Sequence, residues 1–252
     1  MNAFSLEGRN IIVTGASSGI GRQCAVTFSD LGANVILFAR NLDRLNETYR
    51  SLKPANHAVF SLDITQYDKL ESAVQESVEK TGKISGFVHS AGVELTLPLR
   101  NMKPQHYESL YSINAVAGFE LARIISKNKY LDENGASFVF ISSIMGLLGQ
   151  EGKVGYCSSK GAVIAGVRAM ALELVSKKIR VNSISPAMVE TEMAQKLFEG
   201  IQEEAKKSIL DMHPLGLGKP EDVAYACAFL LSKASQWITG TNLIIDGGYS
   251  IK

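Results

Sequence analysis

The chain has 252 residues and only three cysteines, Cys24, Cys157 and Cys227. They are odd in number, far apart along the chain and in no metal-binding spacing. This excludes a disulfide framework and points to a reduced, cytoplasmic setting. Cys157 adjoins Tyr156 but would point about 100° away around a helix, so it reads as a small filler. Histidine is scarce too. His57, His89, His106 and His213 lack the paired spacing of a zinc site, so no metal is expected. An excess of one charge is also missing. The formal net charge is +1, which gives no chain-wide basic signal for nucleic acid or an anionic membrane. No uninterrupted apolar run reaches the ~18 residues that span a bilayer, and Arg168 and Glu173 break the longest apolar helix. The first residues, MNAFSLEGRN, have no basic n-region and no apolar core, so a secretory signal is not expected. There is no repeat and no low-complexity segment. What is present, 46% hydrophobic and 20% charged residues, suits one globular α/β domain over 1–252 with a sizeable core.

The stretch from Ser142 to Lys160, SSIMGLLGQEGKVGYCSSK, carries the densest chemistry. Phe138 to Ile141 reads as a strand. After Gly155, small and aliphatic residues recur at helical spacing to Val175. Two serines therefore sit at a strand's end, and Tyr156 and Lys160 share a helix face one turn apart. A free tyrosine has a pKa of about 10. An ammonium one turn away favours the phenolate and lowers that value by roughly 1–3 units. This would bring the phenol towards the working pH, where general acid–base catalysis is most effective. The loop after Ser143 can set its hydroxyl beside the phenol, and two such hydroxyls can hold one carbonyl oxygen. A solvated helix face carrying a Tyr and a Lys is the plain alternative for this pair taken alone.

A second motif lies near the start. Arg9 to Thr14 is a short apolar strand that runs into GASSGIG, Gly15 to Gly21, and then a helix to about Leu31. Strand, glycine turn and helix is the context of a dinucleotide site. Glycines let the backbone approach a pyrophosphate, and the helix N-terminus offers it free N–H groups. Ser17 and Ser18 can add hydroxyl donors. Ala33 to Ala39 is the next strand, followed by Arg40. A carboxylate at this strand's end would select NAD. Here Ala39 and Arg40 stand instead, and a guanidinium suits a 2′-phosphate, so NADP(H) is expected. Arg44 could serve as well or instead.

The remaining segments alternate likewise. A charged helix spans about Leu42 to Leu52. His57 to Leu62 reads as a strand, with Asp63 after it. Thr65 with Asp68 looks like a helix cap, which leaves Asp63 free to accept from an adenine amino group or to act as a plain turn residue. Ile84 to Val88 is the fourth strand, and His89, Ser90, Ala91 and Gly92 at its end allow close approach of a cofactor. One long helix is expected from Lys103–Pro104 to about Lys129. Asn114 inside it could tie the helix to a strand, hold a water near Lys160, or do both. Ile179 to Ser185 is a strand ending in Pro186–Ala187. A substrate lid is expected around 188–215, and Pro220, Glu221 and Asp222 open another helix. Thr241 to Ile245 is the last strand. Seven apolar strands with helical crossovers mean an α/β fold, a parallel sheet covered on both faces. The Gly155–Val175 helix is apolar around most of its surface, which suggests a helix-to-helix oligomer interface.

Together these residues resemble the short-chain dehydrogenase/reductase family across nearly the whole chain. The matching motifs are Thr14 to Gly21, Asp63, Ser90-Ala91-Gly92, Asn114, Ser143, Tyr156 with Lys160, Pro186 with Thr191, and Asp246-Gly247-Gly248. The resemblance implies a doubly wound Rossmann sheet in the order 3-2-1-4-5-6-7. It implies hydride transfer between a nicotinamide and a carbonyl or secondary alcohol, with a small-molecule substrate and a homotetramer or homodimer. By that resemblance Tyr156 is the acid/base and Ser143 polarises the carbonyl. Lys160 binds the nicotinamide ribose, Asn114 supports a proton relay, and Ser142 is structural. The cofactor would meet Gly15, Ser17, Ser18, Gly19, Ile20 and Gly21 at the turn, then Arg40, Asp63, Ile64, Ser90, Ala91 and Gly92. It would reach Tyr156, Lys160, Pro186, Val189 and Thr191 at the nicotinamide end. Ser143, Met145, Gln150 and Tyr156 would meet the substrate. Ile144, Leu147, Leu148 and the Thr191–Pro214 segment should line its pocket. Two departures are His89 with Ser90, where an Asn pair is usual, and Ala187, where Gly is usual.

Within the family the chain is similar to 3-oxoacyl-carrier-protein reductases. An acidic carrier protein needs a basic patch by the site. Lys177, Lys178 and Arg180 could form one side, but Asp132 and Glu133 stand at the other. A free sugar, steroid or small keto substrate stays open, as does a non-catalytic NADP(H)-binding scaffold or sensor.

Overall fold

The computed structural model describes residues 2–199 and 202–252. Seven strands pair in parallel: β1 (Asn10–Thr14), β2 (Asn34–Ala39), β3 (Ala58–Ser61), β4 (Gly86–His89), β5 (Ala136–Ile141), β6 (Ile179–Pro186) and β7 (Asn242–Ile245). Their spatial order is β3-β2-β1-β4-β5-β6-β7, the expected doubly wound sheet. All six residues of β5 are buried, as a strand covered on both faces requires. The order reverses between β1 and β4, where Thr14 lies opposite His89. A crevice at the C-terminal ends of these strands is where open α/β sheets hold their ligands.

Helices α1 (Gly19–Asp30), α2 (Leu42–Arg50) and α3 (Leu70–Thr81) connect the first four strands. α4 (Pro104–Tyr111) and α5 (Ala117–Ile125) precede β5, and α6 (Val154–Leu174) precedes β6. α7 (Glu192–Glu199), α8 (Glu203–Asp211) and α9 (Pro220–Leu231) precede β7. One core layer joins Phe87, Phe138 and Phe140 to Leu121 and Val163. Phe87 meets Phe138 and Phe140 edge to face, with ring centroids 5.7 and 5.8 Å apart, the arrangement the ring quadrupoles favour. The other layer packs Ile11, Val13, Val88 and Val139 against α1 and α9. There Cys24 and Cys227, distant in sequence, are neighbouring buried thiols. α6 leaves Leu172 exposed, as is Val175 directly after it, on the helix for which the sequence suggests a partner. No helix among the described residues is long and apolar enough to cross a membrane.

Two expectations need correction. The long helix before β5 is not continuous. A π-helical turn, Ser112–Val116, separates α4 from α5, and the helix ends at Ile125. Such a turn inserts one extra residue and frees a backbone carbonyl. Here the Ile113 carbonyl faces His89 Nε2 at 3.0 Å. Thr65 with Asp68 does not cap a helix. Instead Asp63 Oδ1 accepts from the Thr65 N–H at 2.9 Å and from its hydroxyl at 2.8 Å. These two donors hold the Asp63 carboxyl below its ordinary range. Asp63 is therefore a turn-forming acceptor as well as a cofactor candidate. Of the expected lid, Gly200 and Ile201 lie outside the described residues.

Candidate active site

Gly15 ends β1 with φ +68, and a Cβ there would stand 2.9 Å from the Ala91 backbone nitrogen. A Cβ on Gly21 would stand 2.3 Å from the Gly15 carbonyl oxygen. The first glycine brings the turn against the end of β4. The second lets α1 pack onto that turn. Ser18 precedes α1 without using its side chain as a cap, so the first N–H groups of the helix stay free for an anion. A groove beside them is lined by Gly15, Ser17, Ser18, Arg40, Arg44 and Asp63, with Ile64, Ala91 and Gly92 continuing it. Free helix N–H groups, two hydroxyls and two guanidinium groups are a donor set for the phosphates of a nicotinamide dinucleotide. The residues present fit such a cofactor. Arg44 also pairs with Glu192 of α7.

His89 fastens the floor of this groove. Its Nδ1 lies 3.0 Å from Thr14 Oγ1, which accepts from the Ser90 N–H at 3.1 Å and the Ala91 N–H at 3.2 Å. Burial, then the nearby Lys160, pushes the His89 pKa down to about 4. The neutral ring donates from Nε2 to Ile113 and accepts at Nδ1 from the Thr14 hydroxyl. Histidine thus replaces the usual asparagine without leaving a polar group unpaired. A Cβ on Gly118 would come within 2.6 Å of the ring, so glycine at 118 makes room for it.

A second cavity of about 200 Å³ continues from the groove. Ser143 and Tyr156 line it, as do Lys160, Met145 and Gln150. Ile20, Ser90, Gly92, Pro186, Val189 and Thr191 line the same space, so the nicotinamide-end candidates and the substrate candidates meet. Gly19 and Gly21 line neither cavity, but they stand in the first turn of α1, whose leading N–H groups have no side-chain cap. Ser143 lies two residues past β5, with its Oγ accepting from the Met145 N–H at 3.1 Å. Its own proton is left to donate, and its hydroxyl is the neighbour that favours the ionised form of the Tyr156 phenol. Ser142 turns away and donates to the Lys160 carbonyl at 2.9 Å, a structural role. Lys160 is buried, with Nζ donating to the Ile141 carbonyl at 2.9 Å and lying 5.8 Å from the centre of the Tyr156 ring.

The expected depression of the Tyr156 pKa does not hold in this arrangement. Burial pushes the phenol well up and Glu94 adds to the rise, while the Ser143 hydroxyl pulls it partly back. Burial also brings Lys160 down to about 8, with Glu94 opposing. Sequence spacing supplied the ammonium but not the low dielectric around both groups. At neutral pH the phenol holds its proton and is ready to act as an acid.

Asn114 sits in the π-helical turn. Its amide accepts from the Val93 N–H at 2.8 Å and donates to the Val93 carbonyl at 3.0 Å and to Ser159 Oγ at 2.9 Å. The side chain ties the helix to the strand exit, so any relay must run through the backbone. Leu147 and Leu148 are exposed and do not line the cavity. Met188, Met193 and Met212 of the expected lid do line it, and so do three residues that the sequence did not flag, Glu94, Lys153 and Tyr249. The only available signal was an acid two positions past Gly92. Lys177, Lys178 and Arg180 lie at the start of β6, the end of the sheet opposite the site. Lys177 donates to the Ser126 carbonyl at 2.9 Å and Arg180 to Leu230 at 2.7 Å, so they form no basic patch beside the cavity. Among the described residues no three His, Cys, Asp or Glu side chains converge as a metal site.

Residues 15–250 match a family described as enoyl-(acyl carrier protein) reductase. The chain is 35% identical to a 3-oxoacyl-[acyl-carrier-protein] reductase FabG of Thermotoga maritima, over 98% of this chain and 99% of that one. It is 34% identical to an NAD-dependent glycerol dehydrogenase of Listeria innocua, over 99% and 96%. A crystal structure of a short-chain type dehydrogenase/reductase from Mycobacterium marinum superposes with a TM-score of 0.91 at 28% identity, covering 100% of this chain and 99% of that one.

Proposed function

The chain belongs to the short-chain dehydrogenase/reductase family, oxidoreductases that act on CH–OH groups with a nicotinamide cofactor, and from that premise we propose that it is an NADP(H)-dependent ketone reductase. One observation carries the reading: Ser143, Tyr156 and Lys160 line one cavity, with the Ser143 hydroxyl acting on the phenol and the Lys160 ammonium 5.8 Å from the centre of its ring. The Ser143 proton donates to the carbonyl oxygen and steadies the charge that grows there. The Tyr156 phenol then gives that oxygen its proton. The nicotinamide, when bound, supplies the hydride to the carbonyl carbon. Lys160 keeps an ammonium charge in the same cavity, 5.8 Å from the centre of the Tyr156 ring. No catalytic group of the family pattern is missing, which argues against a cofactor-binding scaffold without a reaction.

NADP(H) is supported by Arg40 and Arg44 at the exit of β2 and by the absence of a carboxylate at Ala39. The Listeria relative is NAD-dependent by name, so this preference rests on this chain's own residues. Two substrate types have support. The name of the Thermotoga relative favours a 3-oxoacyl thioester on a carrier protein. The small cavity, below the usual ~300–1,000 Å³ of ligand sites, and the distance of the basic residues favour a free small ketone. We favour the latter.

The test is the initial rate of NADPH and NADH oxidation with small ketones, followed against pH. NADPH should be the better donor. Reduction should hold at neutral pH, where phenol and ammonium both carry their protons, and fall through about 8 as Lys160 loses its charge. The reverse oxidation should keep rising with pH, because it needs the phenolate. A reduction rate that rises with pH would contradict the acid role of Tyr156.

A further inference from the structure

One wall of the cavity carries an ion pair that the chemistry above does not use. Glu94 follows β4 in the loop after Gly92, and Lys153 immediately precedes α6. Both line the cavity that holds Ser143 and Tyr156. Lys153 Nζ donates to Glu94 Oε1. The lysine side chain is 9% exposed and the glutamate 22%, so the acid is the more open partner. Its second oxygen, Oε2, takes no hydrogen bond from the described residues. No buried side-chain polar atom among them is left without a partner, so this oxygen is accessible and not sealed in protein.

The pair is not needed to join the segments it bridges. The Leu97 N–H already donates to the Gly152 carbonyl at 2.7 Å. Asn114 already holds both backbone groups of Val93. A largely buried ion pair adds little net stability, since desolvating two charges offsets their attraction. Nor does the acid assist the reacting phenol, because its charge disfavours the phenolate. A carboxylate kept so near the reacting hydroxyls, fixed by a lysine and open on one oxygen, has the form of a ligand acceptor. Ionised, it accepts only, so it repels anions and selects a donor. The adjoining ammonium disfavours a cationic donor, which leaves a neutral one, and on a ketone or alcohol substrate the plain neutral donor is a hydroxyl.

We propose that Glu94, held by Lys153, accepts a hydrogen bond from a substrate hydroxyl, so that the site takes a ketone with a free hydroxyl near its carbonyl, or in reverse a polyhydric alcohol. This rests on the ketone-reductase reading and narrows its substrate class. It also places the chain away from long acyl thioesters.

Hydroxyacetone and butanone test it, since they differ only in a hydroxyl against a methyl. Each is compared by kcat/KM and, without turnover, by saturation-transfer NMR binding. The unsubstituted protein should favour hydroxyacetone by about 10- to 100-fold, the scale of one hydrogen bond to a charged group. Glu94→Leu should bring the ratio to about one, and Glu94→Gln should leave part of it. Lys153→Met, which frees the carboxylate to move, should weaken the ratio as well. The unsubstituted protein alone decides the matter if a variant fails to fold: equal handling of the two ketones overturns the proposal. A preference that survives Glu94→Leu overturns it too, and makes the pair a contact between loops. Turnover of neither ketone with the binding preference intact sinks the reductase reading and supports this one.

Discussion

Tyr156→Phe is expected to lower ketone reduction by about 10²- to 10⁴-fold, the usual contribution of a positioned acid. The substitution removes one oxygen and keeps the ring. That ring is partly buried in the cavity that Ser143 and Lys160 also line, and phenylalanine fills the same space. The groove that fits the dinucleotide lies along Gly15, Ser17, Ser18 and Arg40 and does not include residue 156. NADPH binding, followed by the quenching of protein fluorescence, should therefore change far less than turnover. The chain has one tryptophan, Trp237, but tyrosine emission and NADPH's own fluorescence give the same readout. Full turnover in Tyr156→Phe would mean that the proton comes from elsewhere.

The second large effect is on cofactor choice. Arg40→Asp exchanges a guanidinium at the exit of β2 for a carboxylate. It removes a charge-assisted contact to a 2′-phosphate, sets a like charge against it and offers an acceptor to a 2′-hydroxyl. The ratio of dissociation constants for NADPH and NADH should move towards NADH by ~10²- to 10³-fold, roughly the sum of one lost charged hydrogen bond and one added repulsion. Arg44 tempers the change, because its side chain lines the same groove. It is paired with Glu192, so its guanidinium must leave or share that partner to meet a phosphate. An unchanged ratio in Arg40→Asp would contradict the assignment of the phosphate to this residue.

Much of this architecture was legible from local pattern. Short apolar runs separated by helical spacing gave seven parallel strands, and Tyr156 with Lys160 at one-turn spacing gave two members of the site. Ser143 was found because a strand's end, a loop and a helix start must lie close together. The parts that escaped depend on groups distant in sequence. Glu94 and Lys153 are 59 positions apart, and neither has a local pattern that reveals the other. The π-helical turn at Asn114 is fixed by Val93, Ser159 and His89, on other elements. Asp63 read as free because a two-residue turn to Thr65 competes with helix capping at the level of residue type. The direction of the Tyr156 shift is not legible in the sequence for a related reason. The lysine is visible in the sequence, but the burial that outweighs it is a property of the packed site. Lys177, Lys178 and Arg180 looked close to the site by sequence because β6 leads there, yet they stand at its opposite end.

The central claim is that the Tyr156 and Ser143 hydroxyls act on the same substrate oxygen. The most direct measurement is a double-mutant cycle on kcat/KM for one ketone, with Tyr156→Phe, Ser143→Ala and the pair together. Groups that work as a unit are strongly non-additive. The double variant should be little slower than Tyr156→Phe alone, although Ser143→Ala by itself costs on the order of 10- to 10³-fold. Losses that multiply in full would show two hydroxyls acting at separate places, and the account would be wrong.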